Sequence, residues 1–350
     1  MSAFIASLGL PEIVGGVMML ALNAYVLMGG ADFGGGVWDL LASGPRRDAQ
    51  RALIADSIGP IWEANHVWLV IVVVMLFTAF PTVFALLGTV LHIPLTLMLV
   101  GIVLRGSAFV FRSYGSRAHV AQRRWGRVFA GASLITPILL GVIVGAIASG
   151  AVGRVAPLLA APSGASVHSV FVAPWLGCFP LAVGALALVL FAFLAAVYLT
   201  IATSDEALRE DFRRRALGTA ILVFMAAAGA LFVARIHAPA VGRGLVETPL
   251  AVALQGATAI AALTAIGALY TRRWQLARIA AAAQVSLVLW GWVMVQYPFI
   301  VPPVATLRDA AAPDITLELL LTALAIGAVV LIPSLVYLFR TFGSVQHEGR

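Results

Sequence analysis

An all-α fold of about nine membrane-crossing helices is predicted by three features of the chain. The 350 residues are 62% hydrophobic and only 11% charged, with a mean hydropathy of +1.03, whereas a soluble domain carries about a quarter charged residues. The apolar residues gather into nine runs, each long enough to cross roughly 30 Å of hydrocarbon as a helix. The basic residues, 22 in number and all arginine, alternate between crowded and sparse connections.

The runs lie at about 12–41, 52–79, 81–111, 127–150, 176–202, 216–238, 248–270, 275–299 and 316–340. Charge bounds them. Arg46, Arg47 and Arg51 follow the first run, Arg112, Arg117, Arg123, Arg124 and Arg127 the third, and Arg209, Arg213, Arg214 and Arg215 the fifth. Arg272, Arg273 and Arg278 follow the seventh, and Arg340 and Arg350 the ninth. The alternate connections hold only Arg154, Arg235, Arg243 and Arg308. Arginine and lysine concentrate in cytoplasmic loops, so the N-terminus is expected outside and the C-terminus in the cytoplasm of a bacterial inner membrane. An odd number of crossings requires the same. The pI near 10.5 is not read as nucleic-acid binding. No basic segment precedes the first run, which is also too long for the core of a cleavable signal.

The longest outer connection, rich in Pro, Gly, Ala and Ser around Val155–Pro174, is the expected hinge between two halves. Tyr25 precedes Asp32 by seven residues at the end of the first run, and Tyr198 precedes Asp205 by seven at the end of the fifth. That echo suggests a parallel duplication. The expected division is a four-helix bundle over 1–154, a second over 155–303, and a peripheral ninth helix with a cytoplasmic tail over 304–350. The extramembrane parts are too short to fold separately or to hold a soluble cofactor. The lone Cys178 excludes an internal disulfide or a thiolate cluster. No metal site is expected.

Function is sought where polarity is costly. Trp62-Glu63-Ala64-Asn65-His66-Val67-Trp68 puts a carboxylate, an amide and an imidazole between two indoles in the second run. An ionisable residue within a span is by default a functional hypothesis. Counting from Arg51, Glu63 sits roughly 18 Å inward, near the bilayer centre, and Asp56 roughly 10 Å nearer the cytoplasm on nearly the same face. Glu63 and His66, three apart, are within reach of each other. The ladder suits a proton relay; pairing of these groups with each other or with Arg105, purely to hold helices together, suits the residues equally well. Asp32 lies in Gly29-Gly30-Ala31-Asp32-Phe33-Gly34-Gly35-Gly36, read as close helix packing around a buried acid, because no Lys-Ser/Thr follows to complete a phosphate loop. Arg105 in the third run is deep enough to need a carboxylate, Asp32 or Asp56. His66 and His92 differ in depth by roughly 6–9 Å, so haem ligation by this chain is not expected. Trp290 and Gln296, near the outer interface, are read first as an aromatic belt.

Together these motifs resemble subunit II of the cytochrome bd quinol oxidase family. The resemblance is carried by Gly30-Ala31-Asp32-Phe33-Gly34, by Ile58-Gly59-Pro60-Ile61-Trp62-Glu63-Ala64-Asn65-His66-Val67-Trp68-Leu69 and by Leu76-Phe77-Thr78-Ala79-Phe80-Pro81. It continues in Leu104-Arg105-Gly106-Ser107-Ala108-Phe109-Val110-Phe111-Arg112 and Tyr297-Pro298-Phe299. It is dense over about 20–115 and sparse beyond. What it implies is a haem-free chain of two four-helix bundles plus a peripheral helix, in a heterodimer with a haem-bearing subunit I. That partner would hold haem b and haem d type groups, oxidise quinol or another donor, and reduce dioxygen to water with cytoplasmic protons. Small accessory subunits, membrane lipids and a structural quinone are further implied companions, with no residue here assigned to them.

By the resemblance, the acid of the family's Trp-Asp-Gly-Asn motif, which helps feed protons to the partner, corresponds to Glu63. Asp56 would then be the uptake group, and His66 and Asn65 would orient Glu63 or water. Asp32 paired with Arg105 would lend support, and Trp62 and Trp68 would flank the site. Two departures stand out: Glu63 replaces the usual Asp, and Gly29 stands where the first acid of the family's Asp-Gly-Phe-Asp is expected. A proton-coupled transporter also fits parallel repeats and a mid-membrane carboxylate, and a scaffold with an inert Glu63 is a third reading.

Overall fold

The computed structural model describes residues 9–114, 119–160 and 166–348, with side chains described for all of these except 58–63, 112–114, 119–123, 160 and 339–348. The protein is an all-α membrane protein. Its first half contains α1 (Leu10–Leu40), α2 (Arg47–Ala79), α3 (Pro81–Val90), α4 (His92–Tyr114) and α5 (His119–Ala148). Short α6 (Ala151–Ala160) and α7 (Val167–Phe171) lead to α8 (Cys178–Ala202), α9 (Glu206–His237), short α10 (Pro239–Glu247), α11 (Pro249–Tyr270) and α12 (Trp274–Gln296). A small antiparallel hairpin, β1 (Phe299–Val301) and β2 (Ala305–Thr306), precedes α13 (Asp314–Glu348).

Among the described residues eight helices are long and apolar enough to cross a membrane, and Ala64–Ala79 with Pro81–Val90 forms a further pair bent by 115°. The bend sits at Phe80, where Pro81 opens α3 because proline lacks an N–H and suits the first turn of a helix. The third apolar run, expected as one helix over 81–111, is divided at Leu91 into α3 and α4. Pro94 accounts for this: it cannot donate to the carbonyl four residues back, so the helical ladder restarts.

At the centre stand α1, α5 and α8, packed on one another, with α2 against α1, α4 against α5 and α9 against α8. Helix α8 is buried on every side from Leu190 through Val197, as expected of a helix apolar all round. Backbones meet where α1 carries no side chain. A Cβ on Gly34 would lie 2.0 Å from the Phe191 carbonyl oxygen, and one on Gly36 would lie 2.1 Å from Ser133 Oγ. Trp38 Nε1 donates to the Ala192 carbonyl at 2.8 Å, fixing α1 against α8 a turn further on. Helix α13, by contrast, has none of its most apolar stretch buried, and among the described residues it packs appreciably only on α1 and α2.

Polar clasps close both ends. At the arginine-rich end Arg46 holds Asp211 through Nε (2.8 Å) and Nη2 (2.6 Å). Gln50 joins the same carboxylate at 2.9 Å and accepts from Arg215 at 2.8 Å. At the other end Arg308 pairs with Glu12, and Ala312 N–H reaches the Ala79 carbonyl at 2.8 Å. Gln296 there accepts from Trp292 Nε1 (2.7 Å) and donates to the Ile300 carbonyl (3.0 Å), bracing the hairpin.

The glycine contacts make a prediction. A methyl at Gly29 meets only ordinary contacts of 3.5 Å or more, so Gly29→Ala should leave stability unchanged or slightly higher. Gly34→Ala forces two backbones apart and should cost about 1–3 kcal/mol. Melting of the two purified variants side by side checks the contrast; equal melting would contradict the close approach.

Candidate functional site

Among the described residues the most deeply buried charges are Asp32 and Arg105. Asp32 Oδ1 lies 2.6 Å from Arg105 Nη1, and both side chains are almost wholly shielded. The contact is a close ion pair rather than an aligned hydrogen bond, since neither Asp32 carboxylate oxygen has a hydrogen-bond partner among the described residues. Arg105 spends its other donors nearby: Nη2 reaches the Asp32 carbonyl at 2.5 Å and Nε reaches Ser133 Oγ at 3.0 Å. Its guanidinium also lies 4.9 Å from the ring centres of both Phe33 and Phe129. Four elements of cation recognition thus converge on one side chain: carboxylate, carbonyl, hydroxyl and aromatic faces.

A seam of buried polar groups runs from this pair along the α1–α2 contact. Asn65 is fully buried, and neither its Oδ1 nor its Nδ2 has a partner among the described residues. Its Nδ2 lies 3.5 Å from where a Cβ on Gly29 would stand. Tyr25, Gly29 and Asp32, spaced four and three apart, share one face of α1. The Tyr25 hydroxyl, Trp68 Nε1, Asn23 Oδ1 and Thr136 Oγ1 are also buried without a partner among the described residues. Tyr25 packs with Phe33, Ile102, Phe191 and Trp68. Each such group left dry costs about 1–3 kcal/mol, and ordered water is the usual partner where protein supplies none.

Of the residues singled out in the sequence, Asp32 and Arg105 meet directly, and Asn65 and Trp68 lie in the adjoining seam. Asp56 is exposed on α2 and is not the partner of Arg105; His66 is half-buried. The side chains of Trp62 and Glu63 lie outside the described residues. Ser133, Phe129, Thr136 and the Tyr25 hydroxyl complete the site without having been expected there. Tyr25 carried a signal only through its spacing from Asp32, and the echo does not reproduce the role: Asp205 caps α9 through the N–H groups of Ala207 and Leu208, whereas Asp32 is buried within α1. His92 bonds the Thr89 carbonyl at 2.8 Å and packs edge-on against Phe171. No cluster of three or more metal-ligating side chains occurs among the described residues.

A family model described as cytochrome bd terminal oxidase subunit II matches residues 10–342. The chain is 33% identical over 120 residues to the cytochrome bd ubiquinol oxidase subunit 2 of Bacillus subtilis (strain 168), covering 34% of each chain. It is 28% identical over 134 residues to the cytochrome bd-I ubiquinol oxidase subunit 2 of Escherichia coli (strain K12), covering 37% of this chain and 33% of that one. The alignments thus span about a third of the length of these curated relatives. Among solved structures, a chain of the bd oxidase from Geobacillus thermodenitrificans superposes with a TM-score of 0.77 at 21% identity, over 95% of this chain and 98% of that one. That likeness is one of fold.

Proposed function

The chain belongs to the cytochrome bd terminal oxidase subunit II family, and from that premise we propose that it is the haem-free subunit of a bd-type oxidase. In this reading it stabilises a partner that carries haem b and haem d type groups, oxidises quinol or another donor, and reduces dioxygen to water. It also supplies a path for protons from the cytoplasmic side. Residues 1–154 and 155–303 form the two bundles, with 304–350 at the periphery and the N-terminus outside.

The observation that carries the proton path is Asn65: an amide wholly buried, partnered by no described residue, and two residues after Glu63 in α2. Such a group recruits water, and a chain of water linking titratable groups is how protons move through protein in a membrane. Asp56, exposed, takes up the proton; Glu63 carries it; Asn65 and His66 orient Glu63 or water, with Trp62 and Trp68 in support. Asp32, neutralised by Arg105, is the fixed end of the seam. Gly29 stands beside Asn65 where the family carries a carboxylate, and in this reading water takes over the hydrogen bonds of that missing acid.

The transporter alternative is separated from this by extraction. Tagged chain solubilised in mild detergent is expected to elute with a second polypeptide and with visible haem absorbance. A colourless protein that drives solute uptake alone in proton-loaded vesicles would overturn the proposal.

A further inference from the structure

At the arginine-rich end a cavity of about 480 Å³ opens between the α11–α12 turn and the α8–α9 junction, with Thr200, Ile201, Arg209, Arg273, Trp274 and Leu276 on its walls. All four helices are membrane-spanning candidates that end or begin here, so the cavity sits at the boundary between hydrocarbon and water.

Its charge is unbalanced. The carboxylates at the start of α9 are already occupied: Glu206 by Arg209, and Glu210 by Arg213 at 2.8 Å and Arg214 at 3.1 Å. Arg272 lies a further 3.6 Å from Glu210. Asp205 accepts from backbone N–H groups of Ala207 and Leu208. Arg273, on the wall, has no side-chain partner among the described residues.

The turn that presents it is built with an unusual residue. Arg272 adopts a left-handed φ of 59°, and Arg273 N–H reaches the Ala268 carbonyl at 2.8 Å, a helix-ending geometry in which glycine normally takes the left-handed place. Arginine there is strained, and strain kept at one position points to a use. The first turn of α12 has no side-chain cap, which leaves N–H groups that favour an anion. Trp274 holds the Arg209 guanidinium at 5.7 Å, while Leu276 and Ile279 expose apolar surface just beyond.

We propose that this cavity binds a phosphate group, with Arg273 as the principal charge and the leading N–H groups of α12 beside it, while Arg209, held by Glu206 and by the carbonyls of Thr200 and Thr203, shapes the wall. Guanidinium forks match phosphate oxygens. At a membrane boundary the bearer that fits Leu276 and Ile279 is an anionic phospholipid headgroup; inorganic phosphate shares the chemistry and is told apart by the test.

Native mass spectrometry of the membrane-extracted protein, with whatever subunits accompany it, supplies that test in separate arms with phosphatidylglycerol, phosphatidylcholine and inorganic phosphate. Phosphatidylglycerol is expected to be retained over phosphatidylcholine, and Arg273→Gln to weaken its retention about fivefold. Arg273→Lys should restore most of it, and Arg243→Gln, beyond the other end of α9, should leave it unchanged. Inorganic phosphate binding with the same dependence on Arg273 would support the site and assign it to a soluble anion. No preference among the three arms, or retention indifferent to Arg273→Gln in a variant of native mass and assembly, overturns it.

Discussion

Arg105→Met is expected to destabilise the protein by about 3–5 kcal/mol, because removing one partner leaves the other charge buried and uncompensated. The effect is large because Asp32 and Arg105 are shielded from solvent almost completely, and because Ser133, Phe33 and Phe129 lose the cation they surround. Asp32→Asn together with Arg105→Met should recover more than half of the loss, since replacing both members of a buried pair by neutral groups is often close to neutral. Melting of the solubilised protein measures both. If Arg105 were only filling space, the single change would cost less than about 1.5 kcal/mol and the double change would be no better.

Glu63→Gln is expected to lower oxygen consumption about a hundredfold or more, the size of effect seen when a positioned proton carrier is lost, while haem content and assembly stay native. Glu63→Asp should retain most of the rate, since it restores the acid type that the family motif carries. Turnover measured across pH separates a carrier from a scaffold. A scaffold residue would leave both the rate and its pH dependence unmoved in Glu63→Gln.

Depth and charge made part of this site legible. Arg105 stands far enough inside its span to demand a carboxylate, and the glycine-flanked Asp32 supplies it; depth alone leaves Asp56 equally eligible, and only its exposure on α2 decides between them. Ser133 and Phe129 gave no warning, because neutral hydroxyls and aromatic rings have many unremarkable places in a membrane helix. Partners of the glycine cluster were equally hidden: a run of glycines announces close approach, but not that Gly34 faces Phe191 and Gly36 faces Ser133. Helices α8 and α13 show the deeper limit. Their most apolar stretches have the same mean hydropathy, yet half of one is buried and none of the other. Lipid tails are as apolar as leucine, so hydropathy reports the crossing and says nothing of which neighbour a helix faces.

Side-resolved proton uptake during a single turnover, in vesicles holding the complete complex in one orientation, tests the proton path most directly. Wild-type protein should take its protons from the arginine-rich side in step with dioxygen reduction, and Glu63→Gln should delay that uptake about a hundredfold with electron input unchanged. Uptake from that side at the native rate without the acid would contradict the account and leave this chain an architectural role alone.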